Sequence, residues 1–530
     1  MPTLTIDDKL VTVPEGTTVL QACEKTGSPV PFYCYHPGLS IAGNCRICLV
    51  EIAGTPKLQI ACYTPVAEGM VVRTTSDKTL KGRRDVLEFL LANHPLDCPV
   101  CDQAGECWLQ DYYMEHGLYN PKFNEQKVKK AKMVPVGPTV MLDAERCILC
   151  SRCVRFTDEI TKSGEFGIFN RGDHSEIGIV PGKQLDNNYS GNVVDICPVG
   201  ALTDRDFRFK CRVWYLASTS SVCPGCSKGC NIEIHTNRER QQRPHVAGGT
   251  RVMRLKPRYH ADVNQWWMCD MGRYGYKSID QDRLTQIAFR DGNGAGSISW
   301  DQALDRLAQQ LAQLKAAGQL DRVGVILSTF LTNEDLHVAK RVFGEFGITH
   351  LTVQGPKPAA GDGFLLQPDR SPNTRGAQAL GLAFEAQALI QRAARRELQC
   401  LYVFGIDLVD VFGQEAAMAA ANLELLVFQG SNNNQSCQLA HVNLPSAVYA
   451  EKHGTFTNGQ GRIQQIRPAC PPLGQAKSDW EILADLGKRL GLTTTFTDSA
   501  AVFADLAARE PAFRGLDYQR IGDQGALLNA

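Results

Sequence analysis

Residues 143–160 read DAERCILCSRCVRFTDEI. Cys147, Cys150 and Cys153 form a C-x2-C-x2-C run, the spacing that wraps one corner of a cubane 4Fe–4S cluster. Zinc motifs rarely place three cysteines in one such run. Cys153 is followed by Val154-Arg155-Phe156 where the bacterial pattern puts x3-C-P, and the Cys-Pro element comes 44 positions later as Cys197-Pro198. Cys197 is therefore the expected fourth ligand, with Cys211 as its rival.

Upstream lies H-x3-C-x2-C-x5-C: His94, Cys98, Cys101 and Cys107. The segment LKGRRDVLEFLLAN (80–93) carries Val86, Leu87, Leu90 and Leu91 at helical spacing. That helix should deliver His94 at its end, with Pro95 stopping it. A neutral imidazole in place of a thiolate removes one negative charge and should raise the potential of a 4Fe–4S cluster, as histidine ligation does in Rieske centres. A zinc site with one His and three Cys is the alternative. Further upstream, Cys34, Cys45, Cys48 and Cys62 read C-x10-C-x2-C-x13-C. They follow an expected hairpin (Leu4–Ile6 and Val11–Val13 around Asp7-Asp8-Lys9) and a helix opened by the capping box Thr18-x-x-Gln21. Gly38, Gly43 and Asn44 in the ligand loop let backbone N–H groups approach cluster sulfurs. Hairpin, helix and Cys-rich loop resemble a plant-type ferredoxin domain with a 2Fe–2S cluster, although x10 is wider than the plant spacing of x4; zinc is again the alternative.

Downstream, Cys223, Cys226 and Cys230 form C-x2-C-x3-C, and Cys269 follows 39 positions later in Cys-Asp-Met-Gly-Arg. Gly225 and Gly229 let that loop wrap a cube. This also reads as 4Fe–4S. Four chemically different sites in one chain point to a relay for single electrons, because zinc carries none.

The composition agrees. The 530 residues hold 56 Lys+Arg and 56 Asp+Glu, so formal net charge is zero. That argues against nucleic acid and against anionic lipid as partners. No apolar run reaches the length of a membrane span, and the N-terminal MPTLTIDDKL lacks the pattern of a secretory signal. Seventeen of the 20 cysteines precede residue 270 in tight groups, which reads as metal binding and not as a disulfide scaffold.

The order of these motifs is specific: a ferredoxin-like set, then ANHPLDCPVCDQAGECWLQD (92–111), DAERCILCSRCVRFTDEI (143–160) and DICPVGALTDRDFRFKCRVW (195–214). It resembles the large iron–sulfur subunit of respiratory NADH:quinone oxidoreductase, complex I, closely over residues 1–280. The resemblance implies one 2Fe–2S cluster on Cys34, Cys45, Cys48 and Cys62, and 4Fe–4S clusters on His94 with Cys98, Cys101 and Cys107, and on Cys147, Cys150, Cys153 and Cys197. Cys223, Cys226, Cys230 and Cys269 match an additional 4Fe–4S cluster that only some bacterial members keep, lying off the main electron path. NAD-linked hydrogenases and formate dehydrogenases share this module, so a wiring subunit of one of them is the alternative.

From about residue 280 the pattern becomes α/β. Ser299-x-x-Gln302 caps a helix striped by Leu304, Leu307, Leu311 and Leu314, and Thr332-x-x-Asp335 opens another. Arg322–Ser328, Leu401–Phe404 and Leu423–Phe428 are buried-strand candidates, and their alternation with helices implies a parallel sheet. NLPSAVYAEKHGTFTNGQGRIQQIRPACPP (443–472) resembles molybdopterin oxidoreductases. The half is short for such an enzyme. Cys400 sits in a strand candidate and Cys437 and Cys470 in polar or Pro-rich loops, and all three read as ordinary thiols. Molybdopterin is therefore not expected. A catalytic molybdopterin enzyme and a structural zinc protein stand as further alternatives.

The fold expected is α+β multidomain: 1–78 a 2Fe–2S ferredoxin-like (β-grasp) domain, 79–120 the His-and-three-Cys 4Fe–4S domain, and 121–215 a 4Fe–4S ferredoxin-like domain. Residues 216–280 should form a molybdopterin-oxidoreductase-type 4Fe–4S domain and 281–530 a shortened molybdopterin-oxidoreductase-like α/β domain. The stretch PKFNEQKVKKAKMVPVGPTV (121–140) reads as a charged linker whose lysines face solvent or a partner. No catalytic acid, base or nucleophile is expected, and no Rossmann fingerprint is present. The resemblance implies a flavin- and NADH-binding partner subunit, further iron–sulfur subunits, indirect contact with a membrane arm, and a peripheral place on the cytoplasmic side of the bacterial inner membrane.

Overall fold

The computed structural model describes residues 1–117, 120, 122–237, 250–291 and 294–529. The chain divides into two compact units, Met1–Leu216 and Ala217–Ala530.

The first unit opens with a mixed five-stranded sheet, ordered Lys9–Thr12, Thr3–Ile6, Val71–Arg73, Leu49–Ile52, Gln59–Ile60. Thr3–Ile6 runs antiparallel to its hairpin partner and parallel to Val71–Arg73, the arrangement of a β-grasp. The hairpin is tighter than the sequence suggests: only Asp7 and Asp8 turn, at φ 43° and 66°. Two left-handed residues match the right-handed strand twist, and Asp tolerates that region. Helix Val19–Thr26 carries the expected reciprocal capping box and ends on Gly27 at φ 67°. It buries Val19, Leu20, Ala22 and Cys23 against Leu4, Ile6, Val50 and Val72.

The next helix spans Asp77–Ala92, starting earlier than its apolar stripe indicates because Ser76 caps it through the Thr79 N–H. It ends at Ala92, ahead of Pro95 as expected, and its last carbonyls find a partner remote in sequence. Lys127 Nζ donates to the carbonyls of Leu91 and Ala92 at 2.9 and 2.7 Å, a cation on the negative end of the helix. This corrects the reading of 121–140 as a solvated linker. Lys132 lies 2.6 Å from Asp97 and 2.8 Å from Glu145, and Lys130 bonds the Ser175 carbonyl. The lysine run ties the second ligand segment to the third.

Near the start of the second unit stands a three-stranded sheet ordered Leu216–Val222, Asn231–Asn237, Val252–Pro257, the last two antiparallel. Its main body is a seven-stranded sheet. Strands Val442–Pro445, Leu425–Gly430, Cys400–Phe404, Val323–Ser328 and His350–Gln354 run parallel in that order. The hairpin Ala288–Asp291/Gly294–Ser297 closes one edge antiparallel. Helices Trp300–Ala316 and Asn333–Phe346 start at the expected capping boxes. Leu304, Leu307 and Leu311 are buried and Leu314 packs at the rim. Cys437 lies in the short helix Gln435–Leu439 and not in a loop. Cys400, Cys437 and Cys470 are all buried. Among the described residues no helix is long and apolar enough to cross a membrane.

Candidate metal centres

Cys147, Cys150, Cys153 and Cys197 line one cavity in the first unit, walled by apolar side chains including Leu142, Ile148, Ile177 and Val199. Cys211 is not part of that wall; its thiol points to the Arg212 carbonyl at 3.3 Å. The loop is strained in order to aim its sulfurs inward. Leu149 and Ser151, the residues between the cysteines, sit at φ 55° and 59°, a region non-glycine residues enter at a cost of about 1–3 kcal/mol. Burial pushes the thiols up, Cys150 to about 11 and Cys147 to about 12. Four thiols that resist ionisation in the bare protein, Cys150 and Cys153 buried and Cys147 and Cys197 partly so, need a metal's positive charge to become thiolates. The donor set therefore fits a cluster.

In the first set, Cys34, Cys48 and Cys62 are buried and Cys45 is partly so. The thiols of Cys34, Cys45, Cys48 and Cys62 lie close enough to compete for protons. That competition holds Cys34 and Cys48 below the usual thiol range and Cys45 and Cys62 above it. The Cys34 N–H donates to Cys45 Sγ at 3.4 Å, and Arg46 at φ 60° makes the bend between Cys45 and Cys48.

The second set is assembled from a helix end and a loop. His94 follows the capped helix, its N–H bonded to the Leu91 carbonyl at 3.2 Å. Burial first, then the cations Lys127 and Arg146, lower its pKa to about 4, so the imidazole is neutral near pH 7, the form that ligates metal. Cys107 caps the N-terminus of helix Trp108–His116. Cys101 and Cys107 are buried and Cys98 is exposed. Gly200, three residues past Cys197, lies so close to Cys101 that a Cβ there would overlap its sulfur.

These three sets share one apolar core. Cys34, Cys107 and Cys150 are buried in the same cluster as Tyr33, Ile47, Leu87 and Ile148, with Cys45, Cys147 and Cys197 packed on it. The third set touches both of the others. Asn44 Nδ2 donates to the Leu149 carbonyl at 3.1 Å, and the Trp108 N–H, beside Cys107, donates to the Pro198 carbonyl at 3.0 Å.

The fourth set lies in the second unit, with Cys223, Cys226, Cys230 and Cys269 all buried. The Cys223 N–H bonds the Cys230 carbonyl at 2.9 Å, and the Gly272 N–H donates to Cys269 Sγ at 3.4 Å. Burial pushes Cys269 up to about 11. Cys223 also borders a cavity of about 430 Å³ at the C-terminal ends of the parallel strands, where Ser328, Gly405, Gln429 and Ser446 line it. In open α/β sheets this is where ligands bind. The lining does not fit a molybdopterin nucleotide. Its one cation, Lys452, lies 2.7 Å from both Asp335 and Asp479. Its one thiol belongs to the fourth set.

Among the described residues no three His, Cys, Asp or Glu side chains converge tightly enough for a single metal ion. Sequence reading missed Arg152 and Arg155, whose guanidinium groups bind the carbonyls around the first and third sets. Their only sequence signal was position inside the cysteine run.

Cysteine-rich ligand sets, the first of them on a β-grasp domain, define an iron–sulfur electron-transfer protein. Family models agree segment by segment: a 2Fe-2S iron-sulfur cluster binding domain at 1–77, the NADH-ubiquinone oxidoreductase-G iron-sulfur binding region at 83–122, and the ferredoxin-like domain of NADH-quinone oxidoreductase subunit 3 at 137–203. The Fe4S4 domain of molybdopterin oxidoreductases matches 216–281 and a molybdopterin oxidoreductase model matches 369–489. The chain is 32% identical to the mitochondrial NADH-ubiquinone oxidoreductase 78 kDa subunit of Neurospora crassa over 640 positions, covering 97% of this chain and 84% of that protein. It is 39% identical to an NADH-quinone oxidoreductase subunit of Rickettsia bellii over 350 positions, covering 66% of this chain and 49% of that one. A solved NAD+-reducing [NiFe]-hydrogenase chain aligns with 40% of this chain and 90% of its own length at 31% identity, with a TM-score of 0.37, too low to argue from. This chain belongs to the family of the large iron–sulfur subunit of complex I, the 78 kDa subunit of the mitochondrial enzyme and its bacterial counterparts.

Proposed function

We propose that this chain is an electron-transfer iron–sulfur subunit of respiratory NADH:quinone oxidoreductase, set between a flavin- and NADH-binding subunit and the iron–sulfur subunits that lead to quinone. It holds one 2Fe–2S cluster on Cys34, Cys45, Cys48 and Cys62. It holds three 4Fe–4S clusters, on His94, Cys98, Cys101 and Cys107, on Cys147, Cys150, Cys153 and Cys197, and on Cys223, Cys226, Cys230 and Cys269. When bound, the clusters supply one-electron centres whose potentials the protein tunes. The observation that carries the reading is the apolar core shared by residues of the first three sets, which supports their lying close enough to exchange electrons.

The chain's own residues position and insulate. Strained Leu149 and Ser151 aim the third set inward, and Lys127 closes the helix that presents His94. The second set reaches the surface at exposed Cys98, where Leu96 is 90% and Val100 59% exposed. We assign this rim to a partner iron–sulfur subunit. The proposal keeps the five domains anticipated from sequence, a peripheral site on the cytoplasmic side of the membrane and the lack of molybdopterin.

Anaerobic purification with iron, sulfide, zinc and molybdenum quantification tests the reading. About 14 irons per chain and EPR signals of both cluster types are expected. Stoichiometric zinc without iron, or stoichiometric molybdenum, would overturn it.

A further inference from the structure

The first unit buries a cation where its ligand sets meet. Arg152, between Cys150 and Cys153, is 2% exposed. Its guanidinium donates to the Tyr35 carbonyl at 2.5 Å, next to Cys34, and to the Ile196 carbonyl at 2.9 Å, next to Cys197. It lies 4.6 Å from the centre of the Trp108 ring, which follows Cys107. Its Nε is buried without a hydrogen-bond partner. Arg155 repeats the theme: it donates to the Cys34 carbonyl at 2.5 Å and the Cys150 carbonyl at 3.2 Å. Among the described residues no carboxylate forms an ion pair with Arg152; the groups near it that would offset its burial once ionised are the sulfurs of Cys150, Cys197 and Cys34. A buried charge with no counter-charge is costly, and Arg stays charged at any working pH.

We propose that Arg152 is a positioning residue that sets the electrostatics of the first and third ligand sets together. It raises the reduction potential of the clusters that both sets hold. This rests on the ligand assignment above. Thiolate-ligated clusters are anionic and become more so on reduction, so a fixed cation in a low-dielectric core favours the added electron. Its carbonyl contacts flank Cys34 and Cys197 alike, so one guanidinium acts on both. The second set, screened by the Trp108 ring and carrying a neutral histidine, should feel it less, and the fourth set belongs to the other unit.

The test is an EPR-monitored potentiometric titration of the full chain, purified anaerobically, with mediator dyes as electron donors. In Arg152→Gln the midpoints of the 2Fe–2S signal and the Cys197-linked 4Fe–4S signal should both fall, by at least tenfold in the reduction equilibrium or about 59 mV for one electron. Arg152→Lys, which keeps the charge and loses the fork, should restore most of the shift. Midpoints unchanged in Arg152→Gln, or a fall confined to one signal, would overturn the proposal. If Arg152→Gln retains no iron, Arg155→Gln decides: a smaller fall in the same two signals supports the proposal, and no fall overturns it. Iron and sulfide counts on the unmodified chain separate failure of this proposal from failure of the ligand assignment beneath it.

Discussion

Gly272→Ala tests the fourth ligand set at atomic scale. A Cβ at position 272 would stand 2.9 Å from Cys223 Sγ and 3.5 Å from Cys269 Sγ. Ordinary contact begins near 3.4 Å, so Cys223 Sγ has to retreat by about 0.5 Å, the difference of the two distances. Metal–ligand distances tolerate about 0.2 Å. In the bare protein the thiol can move aside, and Ala stabilises a helix interior over Gly by about 1 kcal/mol, so the fold should survive while the cluster does not. Gly225→Ala is the matched control. Its Cβ would meet the same Cys223 Sγ at 3.5 Å and Met271 Cε at 3.6 Å, distances that need no movement. Iron quantification should therefore show a loss of about four irons in Gly272→Ala, one cubane, with one EPR signal missing and the others unchanged, and no loss in Gly225→Ala. Full iron with every signal at its original midpoint in Gly272→Ala would refute the reasoning, as would equal loss in both variants.

Three further outcomes are expected. Gly200→Ala pushes a methyl onto the Cys101 sulfur, so it should remove the His94-ligated signal and spare the 2Fe–2S signal in the same EPR spectrum. Glu334 is fully buried, accepting from the Thr455 N–H at 2.8 Å and the Tyr518 hydroxyl at 2.9 Å, and burial raises its carboxyl from 4.5 to about 7. Between those values the unfolded chain has released the proton that the folded chain keeps, so stability of the second unit should fall by about 3 kcal/mol as pH rises from 4.5 to 7. Urea unfolding of Glu334→Gln should show that slope flattened. Lys452→Met leaves Asp335 and Asp479 buried without their shared cation and should cost the second unit about 3–5 kcal/mol. A urea midpoint unchanged from the parent chain would contradict that.

Much of the local structure was legible because its causes are local. The capping boxes at Thr18, Ser299 and Thr332 start helices where the sequence places them, since each needs only a side chain and an N–H three residues away. Where the sequence reading slipped, the deciding partner was remote. The last carbonyls of the helix before His94 are capped by Lys127, 35 positions on, and a lysine run that looks like a solvated linker is held by Asp97 and Glu145. The left-handed Leu149 carried no warning either: leucine has no preference for that region, and only the ring of cysteines around it explains the strain.

The sequence by itself determined that this chain carries clusters. Ligand chemistry is written in residue type and spacing, and C-x2-C-x2-C bends around a cube wherever it stands. It also determined the parallel α/β character of the second half, through hydrophobic period. Only the tertiary structure decided which sets become neighbours. Cys34, Cys107 and Cys150 are far apart in sequence and share one apolar core because packing and burial, unlike ligand spacing, act across any sequence separation. The same packing carries Arg152 to the carbonyls beside Cys34 and Cys197.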